Sequence, residues 1–403
     1  MVDNSSKLKT EIERLKREKN AVILAHYYTL PEVQEVADFL GDSLALSIEA
    51  QKTDARIILF AGVHFMAETA KVLSPEKKVL LPNLEAGCSL AESCDAAAFA
   101  AFKAKYPGYK VVSYVNTSVG VKALTDVCCT SSNALKVVES IPADQPIIFA
   151  PDRNLGSYIQ KLTGRENMVI WDGACHVHEE FSLEKILELK RQHPAAQVVV
   201  HPECRAYIVQ VADFVGSTAA ILDYCGKSSA REFIVVTEAG ILTEMKRRYP
   251  EKTFIPAPPD DEACGCNNCR YMKMITLENI FTTLRDERPE ISLDEEVRRR
   301  AERSILNMIA IKRFFARRRA ILRSHGLCGY GGGTADFRSA AKEEKRGRTC
   351  PAGCGEGRKK RTGEGTERVR HSDPVGRMRS RSYEVRTEKF NYIFFIKPSK
   401  QTF

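Results

Sequence analysis

Three stretches decide the fold of this chain: AVILAHY at residues 21–27, KVVSYVN at 110–116 and AQVVVHP at 196–202. Each is a short run rich in aliphatic and β-branched residues that stops on a polar one, which reads as a buried parallel strand ending at a functional edge. The same sequel follows each. ARIILFAG (55–62) and KKVLLP (77–82) succeed the first, QPIIFAP (145–151) and NMVIWDG (167–173) the second, REFIVVT (231–237) and KTFIPAP (252–258) the third. Matched strands begin near 22, 111 and 198, near 57, 147 and 233, and near 78, 168 and 253, so every offset lies between 85 and 90 residues. Helical patterns fill the intervals. A chance alternation would not hold that phase, so the body reads as three copies of one α/β unit, each the length of a small domain. The expected fold is α/β: three homologous three-layer α/β/α domains with parallel sheets, arranged about a pseudo-threefold axis.

The expected boundaries follow. Residues 1–88 form the first repeat with an N-terminal helix, 89–175 the second and 176–269 the third. Residues 270–311 form a helical segment packing on the body, and 312–403 a basic tail without sustained periodicity, expected to be mostly disordered. The opening MVDNSSKLKTEIERLKREKN has acids among its bases and no apolar stretch, so it is not read as a secretory signal. It reads as an amphipathic helix docking through Leu8, Ile12 and Leu15. No apolar run approaches the roughly 18 residues that span a bilayer, so no membrane role is expected.

The net charge of +9 is unevenly spread. Residues 312–403 hold 24 Lys/Arg against 9 Asp/Glu, leaving the preceding 311 residues with six more acids than bases. The basicity belongs to the tail, and total charge gives no reason to expect a nucleic-acid partner. Thirteen cysteines without a secretory signal argue for a reducing, cytoplasmic setting and for metal or redox chemistry rather than disulfides. Isolated Cys204 and Cys225 read as small core residues.

Each third strand is followed by cysteine: Cys88 in LEAGCSL, Cys175 in WDGACHVH, and Cys264, Cys266 and Cys269 in ACGCNNC. Each first strand ends in polar residues: His26, then Tyr114 with Asn116, then His201 with Glu203. Seventeen residues beyond His26, Tyr114 and His201 stands a hydroxyl every time, at Ser43, Ser131 and Thr218. Ligands of open α/β sheets bind beyond the carboxyl ends of the strands, and helix starts there bind anions. One thiolate per unit suits a cluster with three protein ligands and an open metal position, since soft thiolates select zinc, copper(I) or iron–sulfur centres. The competing readings are buried structural thiols at Cys88 and Cys175, a zinc or redox hook at Cys264–Cys269, and simple helix caps at Ser43, Ser131 and Thr218. Spacing does not choose among Cys264, Cys266 and Cys269. His176 and His178 would point to opposite sides if extended, with His178 the better candidate for the cavity. Glu203 is the only carboxylate at a first-strand end, which favours it as a base or as a partner of a metal-bound water.

Long strings of the body resemble the quinolinate synthase family: AHYYTLPEVQEVADFLGDSLALS (25–47), LPNLEAGCSLAE (81–92), VVSYVNTSVGVKALTDVCCTSSNA (111–134), CHVHEEF (175–181), VVHPEC (199–204), GSTAAI (216–221) and CNNCRYMKMITLENI (266–280). The resemblance covers roughly residues 20–310. It implies three stacked α/β domains around a 4Fe-4S cluster held by Cys88, Cys175 and Cys269. It also implies a transferase of NAD biosynthesis that condenses iminoaspartate with dihydroxyacetone phosphate to quinolinate, phosphate and water, in functional coupling with an L-aspartate oxidase. The same carry-over places His26, Ser43, Tyr114, Asn116, Ser131, His178, His201, Glu203 and Thr218 at the site, with proton transfer assigned to Glu203, Tyr114 and His178. The sequence departs from the family pattern at His176 and Arg270, where proline is common. Two other readings compete: an iron–sulfur hydro-lyase on another dicarboxylate, and a zinc or redox protein with a nucleic-acid-binding tail carrying Cys350 and Cys354.

Overall fold

A computed structural model describes residues 4–260 and 267–324. Among these residues twelve strands form three four-stranded sheets. The first holds β1 (Ala21–His26), β2 (Phe39–Gly41), β3 (Ile57–Ala61) and β4 (Lys78–Leu80). The second holds β5 (Lys110–Tyr114), β6 (Val127–Cys129), β7 (Ile147–Ala150) and β8 (Met168–Ile170). The third holds β9 (Gln197–Val200), β10 (Phe214–Val215), β11 (Glu232–Val236) and β12 (Thr253–Pro256). Every pairing is parallel, and all three sheets have the order second–first–third–fourth. The repeat read from the strand phase is therefore a repeat of topology.

Side-chain parity explains the layers. Successive strand residues point to opposite faces, and in β1 Val22 and Leu24 join one apolar cluster while Ile23 and Ala25 join another. In the second sheet Val112 and Phe149 lie on one side, Val111 and Ile148 on the other. In the third, Val199 and Val235 oppose Val198 and Val236. Both faces of each sheet are covered, which is why the strands read as continuous apolar runs. The N-terminal helix Asn4–Lys19 covers one face of the first sheet through Ile12 and Leu15, beside the helix Leu277–Asp286. Cys204 and Cys225 are buried core residues, as their isolation suggested.

Each unit also has a short second strand that sequence reading did not find, because two or three residues carry no period. A repeated aspartate fixes it. Asp38 accepts the Ile23 N–H, Asp126 the Val111 N–H and Asp213 the Val198 N–H, each at 2.8 Å, while the backbone N–H of each aspartate is donated back to the carbonyl of the same strand residue. The C-terminal helix runs Glu295–Ser324, beyond the expected end at 311, because the sequence to Ser324 contains no glycine or proline to stop it. It packs Ala301, Ile305 and Met308 into the core shared by the first two sheets. The remainder of the tail, with Cys350 and Cys354, and the loop cysteines Cys264 and Cys266 lie outside the described residues.

Candidate active site

The twelve residues that the family resemblance places at the cluster and the site line one cavity, enclosing about 690 Å³ including solvent at its mouth. They reach it from equivalent places. His26, Tyr114 with Asn116, and His201 with Glu203 sit at or just past the ends of β1, β5 and β9. Ser43, Ser131 and Thr218 follow the short strands β2, β6 and β10, and Cys88, Cys175 and Cys269 follow β4, β8 and β12. The cavity is thus built at the carboxyl ends of three parallel sheets.

The hydroxyls are not helix caps. Asp42 and Ser217 cap the helices Ser43–Lys52 and Thr218–Lys227, accepting the N–H groups of Ala45 and Ala220, and Ser43 and Thr218 are the first helical residues. Asp42 and Ser217 also meet Ser132, at 2.7 and 2.9 Å, which ties one loop from each of the three units together. Tyr28, which the sequence reading passed over, hydrogen-bonds Thr218 at 2.6 Å and Thr237 at 2.9 Å.

Glu203 is the polar centre. It is 2% exposed and accepts the Tyr114 hydroxyl at 2.6 Å, and its other oxygen lies 3.3 Å from Nδ1 of His178. Burial alone would raise this carboxyl; the His178 contact and the hydrogen bond from the Tyr114 hydroxyl favour the anion, and the net direction is below the ordinary carboxylate range. Burial pushes His26 down to about 4 and His201 down to about 3. Their geometry agrees, because each Nδ1 receives the backbone N–H two residues on: Tyr28 at 3.2 Å for His26, Glu203 at 3.4 Å for His201. Both rings are therefore neutral, the 3.6 Å approach of His201 Nδ1 to Glu203 Oε1 is not an ion pair, and each ring offers Nε2–H outward. For His201 that nitrogen meets Ser131 at 3.2 Å. His178 stacks on His201 with centroids 4.6 Å apart.

His176 and His178 do not alternate. The segment His176–Glu179 is a helical turn, so both rings line the cavity, and His176 Nδ1 meets Ser89 at 2.8 Å.

The three cysteines are free thiols, partly exposed. Burial pushes Cys88 up to about 12, Cys269 up to about 11, and Cys175 well above the usual range. Nearby N–H groups pull toward thiolate: Leu90 and Ala91 at Cys88, His178 at Cys175, Tyr271 and Met272 at Cys269. Two further carboxylates hold the cysteine loops. Glu238, 1% exposed, accepts Cys269 N–H at 3.0 Å and pairs with Lys273 at 2.9 Å, while burial and the nearby Glu203 push Asp152 well above the usual carboxylate range against a smaller pull from the Leu155 and Cys175 N–H groups. They stand 86 residues apart, inside the phase of the repeat, and that phase was the signal available to find them. Three thiols facing one cavity with N–H groups aimed at their sulfurs form a soft donor set that fits a metal centre. Separately, Cys175 Sγ, a His178 ring nitrogen and a Glu203 oxygen lie within 4.8 Å of one another.

The family model described as quinolinate synthetase A protein matches residues 10–310. Relatives named quinolinate synthase align along the same body. The protein of Thermosynechococcus vestitus is 58% identical over 298 residues, 74% of this chain and 93% of its own length. That of a Synechococcus species is 56% identical over 309 residues, 77% and 96% of the two chains, and that of Chloroherpeton thalassium is 55% identical over 303 residues, 75% and 94%.

Proposed function

The chain belongs to the quinolinate synthetase A protein family, and on that premise we propose that it is a transferase condensing iminoaspartate with dihydroxyacetone phosphate. The products are quinolinate, phosphate and two waters. The observation that carries this reading is the convergence of three thiols, one from each sheet, with an ionised buried carboxylate on a single cavity.

Cys88, Cys175 and Cys269 would hold a 4Fe-4S cluster. Such a cluster, bound through three thiolates, supplies an open iron as a Lewis acid for a departing oxygen. The protein side chains do the rest. Ser43 and Thr218, opening two ten-residue helices, with Ser131 beside them, offer hydroxyl and N–H donors to phosphate and carboxylate groups. His26 and His201, neutral with Nδ1 engaged, present Nε2–H to substrate oxygens. The Asn116 amide, whose Oδ1 has no partner, lines the same wall. Glu203 is ionised at neutral pH and takes protons; Tyr114, donating to its Oε1, returns them, with His178 at the other oxygen. Two dehydrations and a tautomerisation need both directions of transfer.

Iminoaspartate carries a hydrolysable imine, which favours supply by an L-aspartate oxidase acting alongside, in the cytoplasm. Among the described residues no helix is long and apolar enough to cross a membrane. The three units are proposed to be related by a pseudo-threefold axis through the cavity, with domains divided near 88, 175 and 269. The three-way contact of Asp42, Ser132 and Ser217 supports that arrangement. Glu203→Gln tests the proton-transfer reading: quinolinate formation is expected to fall by about 10²–10⁴-fold with iron content unchanged. Near-normal turnover would overturn it.

A further inference from the structure

Glu203 and His178 meet at close range without the alignment of a good hydrogen bond. His178 Nδ1 lies 3.3 Å from Glu203 Oε2, yet this buried nitrogen has no hydrogen-bond partner. The other ring nitrogen, Nε2, has one, Thr237 Oγ1 at 3.0 Å. With the ring proton on Nε2, donated to Thr237, the Nδ1 lone pair faces a carboxylate oxygen. Two acceptors at that separation repel unless something positive lies between them. Cys175 Sγ completes the set, lying with a His178 ring nitrogen and a Glu203 oxygen within 4.8 Å of one another.

We propose that the cluster-free protein binds a single divalent zinc ion between Cys175 Sγ, His178 Nδ1 and Glu203 Oε2. Tetrahedral zinc with bonds of about 2.0–2.1 Å to nitrogen and oxygen sets those two atoms about 3.3 Å apart, the separation already present. A thiolate and a carboxylate neutralise the dication in a buried place. Thr237 orients the ring, as outer partners of metal-bound imidazoles do, and Tyr28 in turn holds Thr237 at 2.9 Å. The fourth position stays open to water. Zinc is bound by the thiolate form of Cys175, so binding releases that thiol's proton to the buffer. The site shares only Cys175 with the three-thiol set, so zinc and the proposed cluster exclude one another.

The test is an anaerobic zinc titration of the full chain, cluster-free, with Cys264, Cys266, Cys328, Cys350 and Cys354 changed to serine. Calorimetry in buffers of different ionisation enthalpy is expected to give one zinc and about one proton released per chain. Cobalt substitution should give a thiolate charge-transfer band. Cys175→Ala, His178→Phe and Glu203→Gln each weaken binding by more than about a hundredfold, and Thr237→Val by about tenfold to a hundredfold; Cys88→Ala and Cys269→Ala leave it unchanged. Thermal unfolding checks that each variant folds, and Thr237→Val keeps the test decisive if His178→Phe does not. Zinc binding lost in Cys88→Ala but kept in His178→Phe would overturn the proposal, as would no saturable binding. The cluster reading is judged separately: after reconstitution with iron and sulfide, Cys88→Ala should lose the cluster and His178→Phe retain it.

Discussion

Replacing Tyr114 by phenylalanine removes one oxygen from the centre of the site and leaves its packing volume almost unchanged. The lost hydroxyl donates to Glu203 at 2.6 Å in a buried setting. A hydrogen bond to an ionised group contributes about 1.5–3 kcal/mol. At 1.36 kcal/mol per pKa unit, that raises the Glu203 carboxyl by roughly one to two units. Glu203 sits near 2 in the folded protein, below the ordinary 4.5 of a free glutamate. Its ionisation therefore contributes stability that is fully present above about pH 4.5 and fades as pH falls through 2. The variant should lose about 1.5–3 kcal/mol at pH 7.5 and progressively less as pH falls through roughly 3–4, the variant's own carboxyl value, toward 2. Thermal unfolding of cluster-free wild-type and variant protein at pH 7.5 and at about pH 2.5 reads this, as a midpoint several degrees lower at pH 7.5 and a smaller gap at the acid value. An equal gap at both values would mean packing was lost instead. No gap at pH 7.5 would refute the pairing altogether.

The other predictions concern what holds the site in place. Asp38→Ala, Asp126→Ala and Asp213→Ala each leave a strand N–H without its acceptor and should each cost about 1–3 kcal/mol, read from urea midpoints; a loss in one with none in the others would contradict the repeated role. Glu238→Ala frees the Cys269 N–H and Lys273 and should lower iron retention under chelator while Cys88 and Cys175 keep ordinary thiol reactivity in the metal-free state. Retention equal to wild type would show that this loop holds itself.

The long strands, their phase and the cavity residues were legible because buried parallel strands write themselves as apolar runs, and a threefold repeat writes each signal three times. What failed was whatever is short or local. Strands β2, β6 and β10 are too brief to show a period, although the aspartates that pin them, Asp38, Asp126 and Asp213, keep the phase at 88 and 87 residues. An extended backbone would turn His176 away from the side that His178 faces, and a single helical turn brings it to the cavity instead. Ser43 and Thr218 stood one residue from the actual caps, a distinction that only backbone dihedrals make. Asp152 and Glu238 keep the phase of the repeat but have no counterpart in the first unit, where Gly62 and Val63 follow β3. Cys269 could not be chosen over its neighbours by spacing, since three thiols within six residues share one phase. Cavity lining brings in Cys269; Cys264 and Cys266 lie outside the described residues.

The central claim is that Cys88, Cys175 and Cys269 together hold an iron–sulfur centre. Iron and acid-labile sulfide, measured after anaerobic reconstitution of wild type and of each single alanine variant, test it most directly. The account predicts a brown wild-type protein with about four irons and four sulfides per chain, and loss of both in all three variants. A colourless wild type, or a variant that keeps its full complement, would contradict it.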